Sequence, residues 1–166
     1  PDRETAKDAI IEFVGYYSQV IRDLNIYTRT EQSLIDQIEY FDEQERETMQ
    51  ERLGIFQGDS SLNQLRSRMQ TIMMNAYDTG NDNAYRLLAE IGISTNASGA
   101  GSGGFDASRL RGYLEINETD LNDALTSNFD SVGALFGRDT DGDLVVDTGA
   151  AVALERFVGP YVQTGG

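Results

Sequence analysis

LAEIGIST, residues 88–95, changes its repeat halfway along. Leu87, Leu88 and Ile91 fall on one face of a helical turn, whereas Ile91, Ile93 and Thr95 alternate with Gly92 and Ser94 as residues of a strand do. A second alternating run lies downstream, where Tyr113, Glu115 and Asn117 interleave with Leu114 and Ile116. Pairing 91–95 with 113–117 predicts a small two-stranded β element. Its connection of about 17 residues is far longer than that of an ordinary hairpin. Closure entropy rises only slowly with loop length, so the pairing tolerates the insertion. Asn117 is placed to cap a following helix, with Asp120 at its third position.

The rest of the chain reads as helix. Ile10, Val14, Tyr17, Ile21 and Leu24 step by four, three, four and three residues, and Phe13, Val20 and Tyr27 widen the stripe. The spacing predicts a helix from Thr5 to Tyr27, roughly 35 Å long, with Thr5 and Asp8 as its capping pair. Its a/d pattern calls for a second long helix. That second helix follows GDSSL (58–62), where Ser61 and Gln64 form a capping box. Its stripe is Leu62, Leu65, Met69, Ile72 and Ala76, with Met73 and Met74 beside it as core filling. Between the two, Thr28 and Glu31 give another capping signal before Leu34, Ile35, Ile38 and Phe41. DEQERETMQERL (42–53) is polar nearly all round, compatible with a solvated helix or a mobile loop that Gly54 ends. DTGNDN (78–83) is a turn cluster. Short apolar faces at Leu121, Ala124 and Leu125, and at Phe129, Val132, Leu135 and Phe136, predict two more helices, and a last one covers Gly149 to Val162 around Pro160. The expected fold is mainly α (α+β). It is a helical bundle with two long heptad-patterned helices, several short helices and the two-stranded element, in one domain over 1–166 with a flexible insertion at 96–111.

Charge and composition narrow the function. A formal net charge of −15 disfavours nucleic acid and anionic membrane surfaces, both of which are bound through Lys and Arg. With neither cysteine nor histidine in the chain, disulfides, Cys/His zinc sites, thiol nucleophiles and Ser-His-Asp triads are excluded. No apolar run approaches the length that crosses a bilayer. The start at Pro1 and the Gly165-Gly166 end read as those of an excised fragment. The carboxylates of 31–51 lie in a polar stretch and read as a charged exposed face rather than an acid/base pair. The glycines of 99–104 read as linker, since neither a lysine nor a clear helix start follows them.

DTDGDLVVD (139–147) is the one candidate metal site. Asp139, Asp141, Asp143 and Asp147 offer hard oxygen ligands suited to calcium. The EF-hand template does not fit in either register. Starting at Asp139 places Leu144 at position 6 and Ala150 at position 12, and fixing Gly142 at position 6 places Gly137 and Thr148 at the ends. An acidic surface turn is the alternative.

The order of several weak motifs is more specific than any one of them. IIEFVGYYSQVIRDL (10–24), GDSSLNQLRSRMQ (58–70), LLAEIGIST (87–95), GYLEINETDLNDAL (112–125) and NFDSVGALF (128–136) together resemble the C-terminal region of the bacterial flagellar filament cap family, also called hook-associated protein 2 or FliD. The chain departs from the family pattern at Ser18 and Asn117, where the family usually has Asn and Asp, and in the long stretch from Asn96 to Arg111. The resemblance implies the leg domain of a cap, without its head domain and terminal coiled coils. It further implies a non-catalytic assembly role, a ring-like homo-oligomer, contacts with flagellin and other hook-associated proteins, and no resident cofactor. The implied location is secreted, at an external flagellum or in the periplasm where the flagellum is internal. A calcium-dependent binding or adhesion module built on 139–147 is the alternative function.

Overall fold

The structure, a computed structural model, describes residues 2–80, 84–95 and 111–163. Helix α1 (Arg3–Thr28) has 26 residues and is about 39 Å long. Asp2 caps it, accepting the Thr5 N–H at 2.7 Å, so the capping residue lies three positions ahead of the expected Thr5. The helix ends at Thr28, whose hydroxyl donates back to the Leu24 carbonyl at 2.6 Å instead of opening a new helix. Its terminal carbonyls are satisfied by the returning chain, with Gly54 N–H on Ile26 O at 2.8 Å and Phe56 N–H on Tyr27 O at 2.7 Å.

Between these points lie α2 (Ser33–Asp36) and α3 (Glu43–Arg52). The polar run is therefore helical. Asp42 and Glu45 form a full capping box, and Arg46 reaches over to the carbonyls of Ile38 (2.8 Å) and of Ile35 (3.0 Å), which also accepts the Ile38 N–H. Ile26, Leu34, Ile35, Ile38 and Phe41 close into a small hydrophobic cluster at this end of α1.

Helix α4 (Ser60–Met74) starts from Asp59, which accepts the Leu62 N–H at 3.0 Å; the cap is Asp59, not Ser61. Its buried line is also shifted. Met69 and Met73 are buried, Leu62, Leu65 and Ile72 half-buried, and Ala76 exposed. The 3.6-residue repeat carries the core line from Met69 to Met73, and Ala76 lies beyond the end of the helix at Met74.

The junction opens as a 3₁₀ turn (Leu88–Ile91). Gly92 then takes φ +86°, where a side chain would also meet the Asn117 carbonyl at 2.7 Å, so glycine is required. Asn117 N–H donates to the Gly92 carbonyl at 2.8 Å, and β1 (Ile93–Ser94) pairs antiparallel with β2 (Glu115–Ile116), Ile93 opposite Ile116. The β element has the expected partners and is shorter than expected. Asn117 accepts the Asp120 N–H at 3.0 Å and opens α5 (Glu118–Ser127); Asn128 opens α6 (Phe129–Phe136), and α7 (Ala150–Gln163) follows the acidic loop. The insertion expected at 96–111 and part of the 78–83 turn lie outside the described residues, apart from Arg111 and Asp78–Gly80.

The main core is built by the α1 stripe with Met69, Met73, Leu88, Ile91, Ile93, Leu121, Leu125, Val132 and Leu135. Helix α1 packs on α4 and α5, and α7 packs on α4 and α6. The α1 line from Ile10 to Leu24 and the Met69–Met73 line of α4 are thus buried inside the fold. Edge-on packing of Phe13 on Phe136 (5.7 Å between centroids) and Arg68 over the Phe157 ring (5.3 Å) tie the outer helices to it.

Candidate functional site

Three surface features stand out among the described residues. The first is the acidic loop between α6 and α7. Arg138 and Thr148 close its base as an antiparallel bridge, and Arg156 of α7 donates to the carbonyls of Asp147 (2.8 Å) and Val146 (3.2 Å). Asp139, Asp141 and Asp147 bring carboxylate oxygens within 4.8 Å of one another; Asp143 is outside this cluster and accepts the Val145 N–H at 2.8 Å. The Asp139 carboxylate accepts N–H groups of Gly142 (2.7 Å), Leu144 (2.9 Å) and Asp141 (3.2 Å). The Gly142 bond is the chief cause that holds its pKa below the ordinary 3.8. The Asp147 carboxylate, held by the Thr140 hydroxyl (2.6 Å) and N–H (2.8 Å), is lowered too.

In the register beginning at Asp139, Leu144 takes φ +70°, the conformation the calcium-loop template gives to glycine. Ala150, fully buried, stands where that template needs a bidentate glutamate. The donor set is therefore hard oxygen in character and incomplete by one carboxylate, and the loop's own N–H groups already occupy several acceptors. At the tip, Leu144 (93% exposed), Val145 and Val146 face outward.

The second feature is an open apolar groove of about 270 Å³ between α1, α5, α6 and the start of α7, lined by Ile10, Phe13, Leu125, Phe129, Val132 and Phe136. The third is the outer face of α1 and its surroundings, where Ile11, Tyr16, Val20 and Tyr40 are exposed. The carboxylates of 31–51 are spread over exposed helix and turn surface, as their polar context predicts. No described helix is long and apolar enough to cross a membrane.

Comparison with known proteins matches residues 1–166 to the C-terminus of flagellar hook-associated protein 2. The chain belongs to that family. It is 44% identical to flagellar hook-associated protein 2 of Treponema maltophilum over 166 residues, which is all of this chain and 25% of the relative. The protein of the same name from Treponema pallidum (strain Nichols) is 43% identical over 166 residues, again all of this chain and 23% of the relative. That of Borreliella burgdorferi is 30% identical over 173 residues, covering the whole chain and 25% of the relative. The chain spans about a quarter of the length of these relatives. No solved structure matches it. Sequence reading missed Arg111 and Asn25. Both are buried, and the Asn25 amide donates to the Arg111 carbonyl at 2.9 Å. A polar residue inside the α1 core line, next to Leu24 and Ile26, was the available signal.

Proposed function

We propose that the chain is the leg domain of a flagellar filament cap, acting in assembly without catalysis. In this reading the full-length protein forms a ring-like homo-oligomer at the filament tip, outside the cell or in the periplasm where the flagellum is internal. There it retains exported flagellin and contacts the hook-associated proteins beneath. One observation carries the reading, the similarity of all 166 residues to proteins named flagellar hook-associated protein 2. The buried stripes and the outward apolar surfaces fit a part whose work is done by contacts. Deleting the full-length gene tests it. Flagellin should still be exported, and filaments should be absent. Normal filaments in the deletion strain would refute the proposal.

A second reading, a calcium-dependent module, is supported by the approach of Asp139, Asp141 and Asp147 to within 4.8 Å of one another. Those three would hold the ion. Calorimetry decides it, since extracellular modules bind calcium with Kd of roughly 0.1–1 mM and heat should appear in that range. Its absence would leave the loop as a self-bonded acidic turn.

A further inference from the structure

Helices α1, α4, α5 and α6 each bury two or more residues, and α3 buries none. Of its ten residues, Arg46, Thr48 and Met49 are half-buried and the rest are exposed. Met49 is its only apolar residue. With Leu53, just past the last turn, Met49 lies against the cluster of Ile26, Leu34, Ile35, Ile38 and Phe41. A helix of ten residues is marginal in water by itself, and the apolar packing that stabilises most protein helices is nearly missing here. Its charges do not make up the difference. Asp42, Glu43, Glu45, Glu47 and Glu51 form no ion pair among the described residues.

The hold on α3 is polar instead. The Arg46 guanidinium donates to the Ile38 carbonyl at 2.8 Å and the Ile35 carbonyl at 3.0 Å, both half-buried and charge-assisted bonds, the stronger kind. Gln32 and Gln50 exchange amide hydrogen bonds, and Arg52 donates to the Tyr27 hydroxyl at 3.2 Å, but these contacts are exposed and water competes for the same groups. Both ends of the segment are fixed. Phe41 is buried ahead of it, and behind it the Gly54 N–H donates to the Ile26 carbonyl at 2.8 Å. A helix anchored on both sides does not swing away; it opens by unwinding in place.

We propose that α3 is a latched element that unwinds and reforms as a unit while the main core stays folded, with the Arg46 guanidinium as the latch. Local opening belongs to segments with few buried apolar contacts and much exposed backbone, and α3 has both. The main core is separate from it, since α3 contributes no residue to that cluster. Opening frees the carboxylate-rich run 42–51 and uncovers the side of the small cluster that Met49 and Leu53 shield.

Hydrogen–deuterium exchange of the 166-residue chain tests this. Amides 46–52 should exchange roughly a hundredfold or more faster than those of residues 14–24 in α1. Arg46→Met keeps the length of the stem and the helix propensity and removes the donors. It should speed exchange at 46–52 roughly tenfold or more, because hydrogen bonds to a charged group are lost. Exchange in α1 and α5 and the melting temperature should stay as they are. Met49→Ala should speed α3 less than Arg46→Met does. Equal protection of α3 and α1 in the unaltered chain would overturn the proposal. So would unchanged exchange at 46–52 in Arg46→Met, or a larger effect from Met49→Ala, which would make packing the hold. Acceleration of α1 and α3 alike in Arg46→Met, or failure of that variant to fold, would overturn it too, because the main core has to stand without the latch.

Discussion

Leu144 shows how much a single backbone angle can decide. It is the one described residue other than glycine with positive φ, and its side chain is almost wholly in solvent. Left-handed geometry costs a leucine about 1–2 kcal/mol, and glycine loses about 0.5–1 kcal/mol more chain entropy on folding. Leu144→Gly should therefore stabilise the domain by about 0.5–1 kcal/mol, seen as a melting temperature higher by roughly 1–4 °C. A lower one would mean that the leucine makes contacts within the fold. Asp139 sets a pH dependence at the same loop. Its folded pKa is depressed, chiefly by the Gly142 N–H, so its stabilisation is present above the ordinary carboxylate value of 3.8 and is lost as pH falls through the folded value. Asp2 and Asp147 act in the same direction. Melting temperature should fall below about pH 4, and Asp139→Asn should flatten part of that fall. An unchanged profile in the variant would place the acid sensitivity elsewhere.

At the level of elements, patterns of local origin were legible and their ends were not. The α1 stripe, the strand partners at 93 and 116 and the Asn117 cap follow from periodicity and capping chemistry, and each stands where expected. The starts of α1 and α4 moved because Asp2 and Asp59 supply caps as good as the Thr5 and Ser61 expected on sequence. Strand length depended on which neighbours the 3₁₀ turn and α5 bring, which no local pattern carries, and Ala76 left the core line because α4 ends at Met74. Of the candidate site, the acidic loop was readable as a loop. The outward turn of Asp143 and the burial of Arg111 were not, because they depend on contacts such as Arg111 with Ser33, 78 positions apart. The methionines give a sharp contrast. Met69→Asp places a charge in the main core and should destabilise by about 4 kcal/mol or more, enough to unfold the domain, whereas Met74→Asp, on a residue 71% exposed, should change stability by less than about 0.5 kcal/mol. Thermal melts of the two variants check this; equal melting temperatures would mean that the α4 line is not core.

For the whole molecule, two hydrophobic clusters share α1 as a common spine, and the chain between Thr95 and Arg111 connects two ends that the structure already holds together. Removing 97–104 should leave the cooperative melt intact, and its loss would make that stretch structural. Under the proposed function, the full-length protein needs this folded unit to cap the filament. The direct measurement is complementation of a strain lacking the full-length gene with genes carrying Met69→Asp or Met74→Asp, scoring filaments by electron microscopy. The Met74→Asp gene should restore filaments, and the Met69→Asp gene should leave exported flagellin unassembled. Normal filaments from the Met69→Asp gene, with this domain shown to be unfolded, would refute the proposed role.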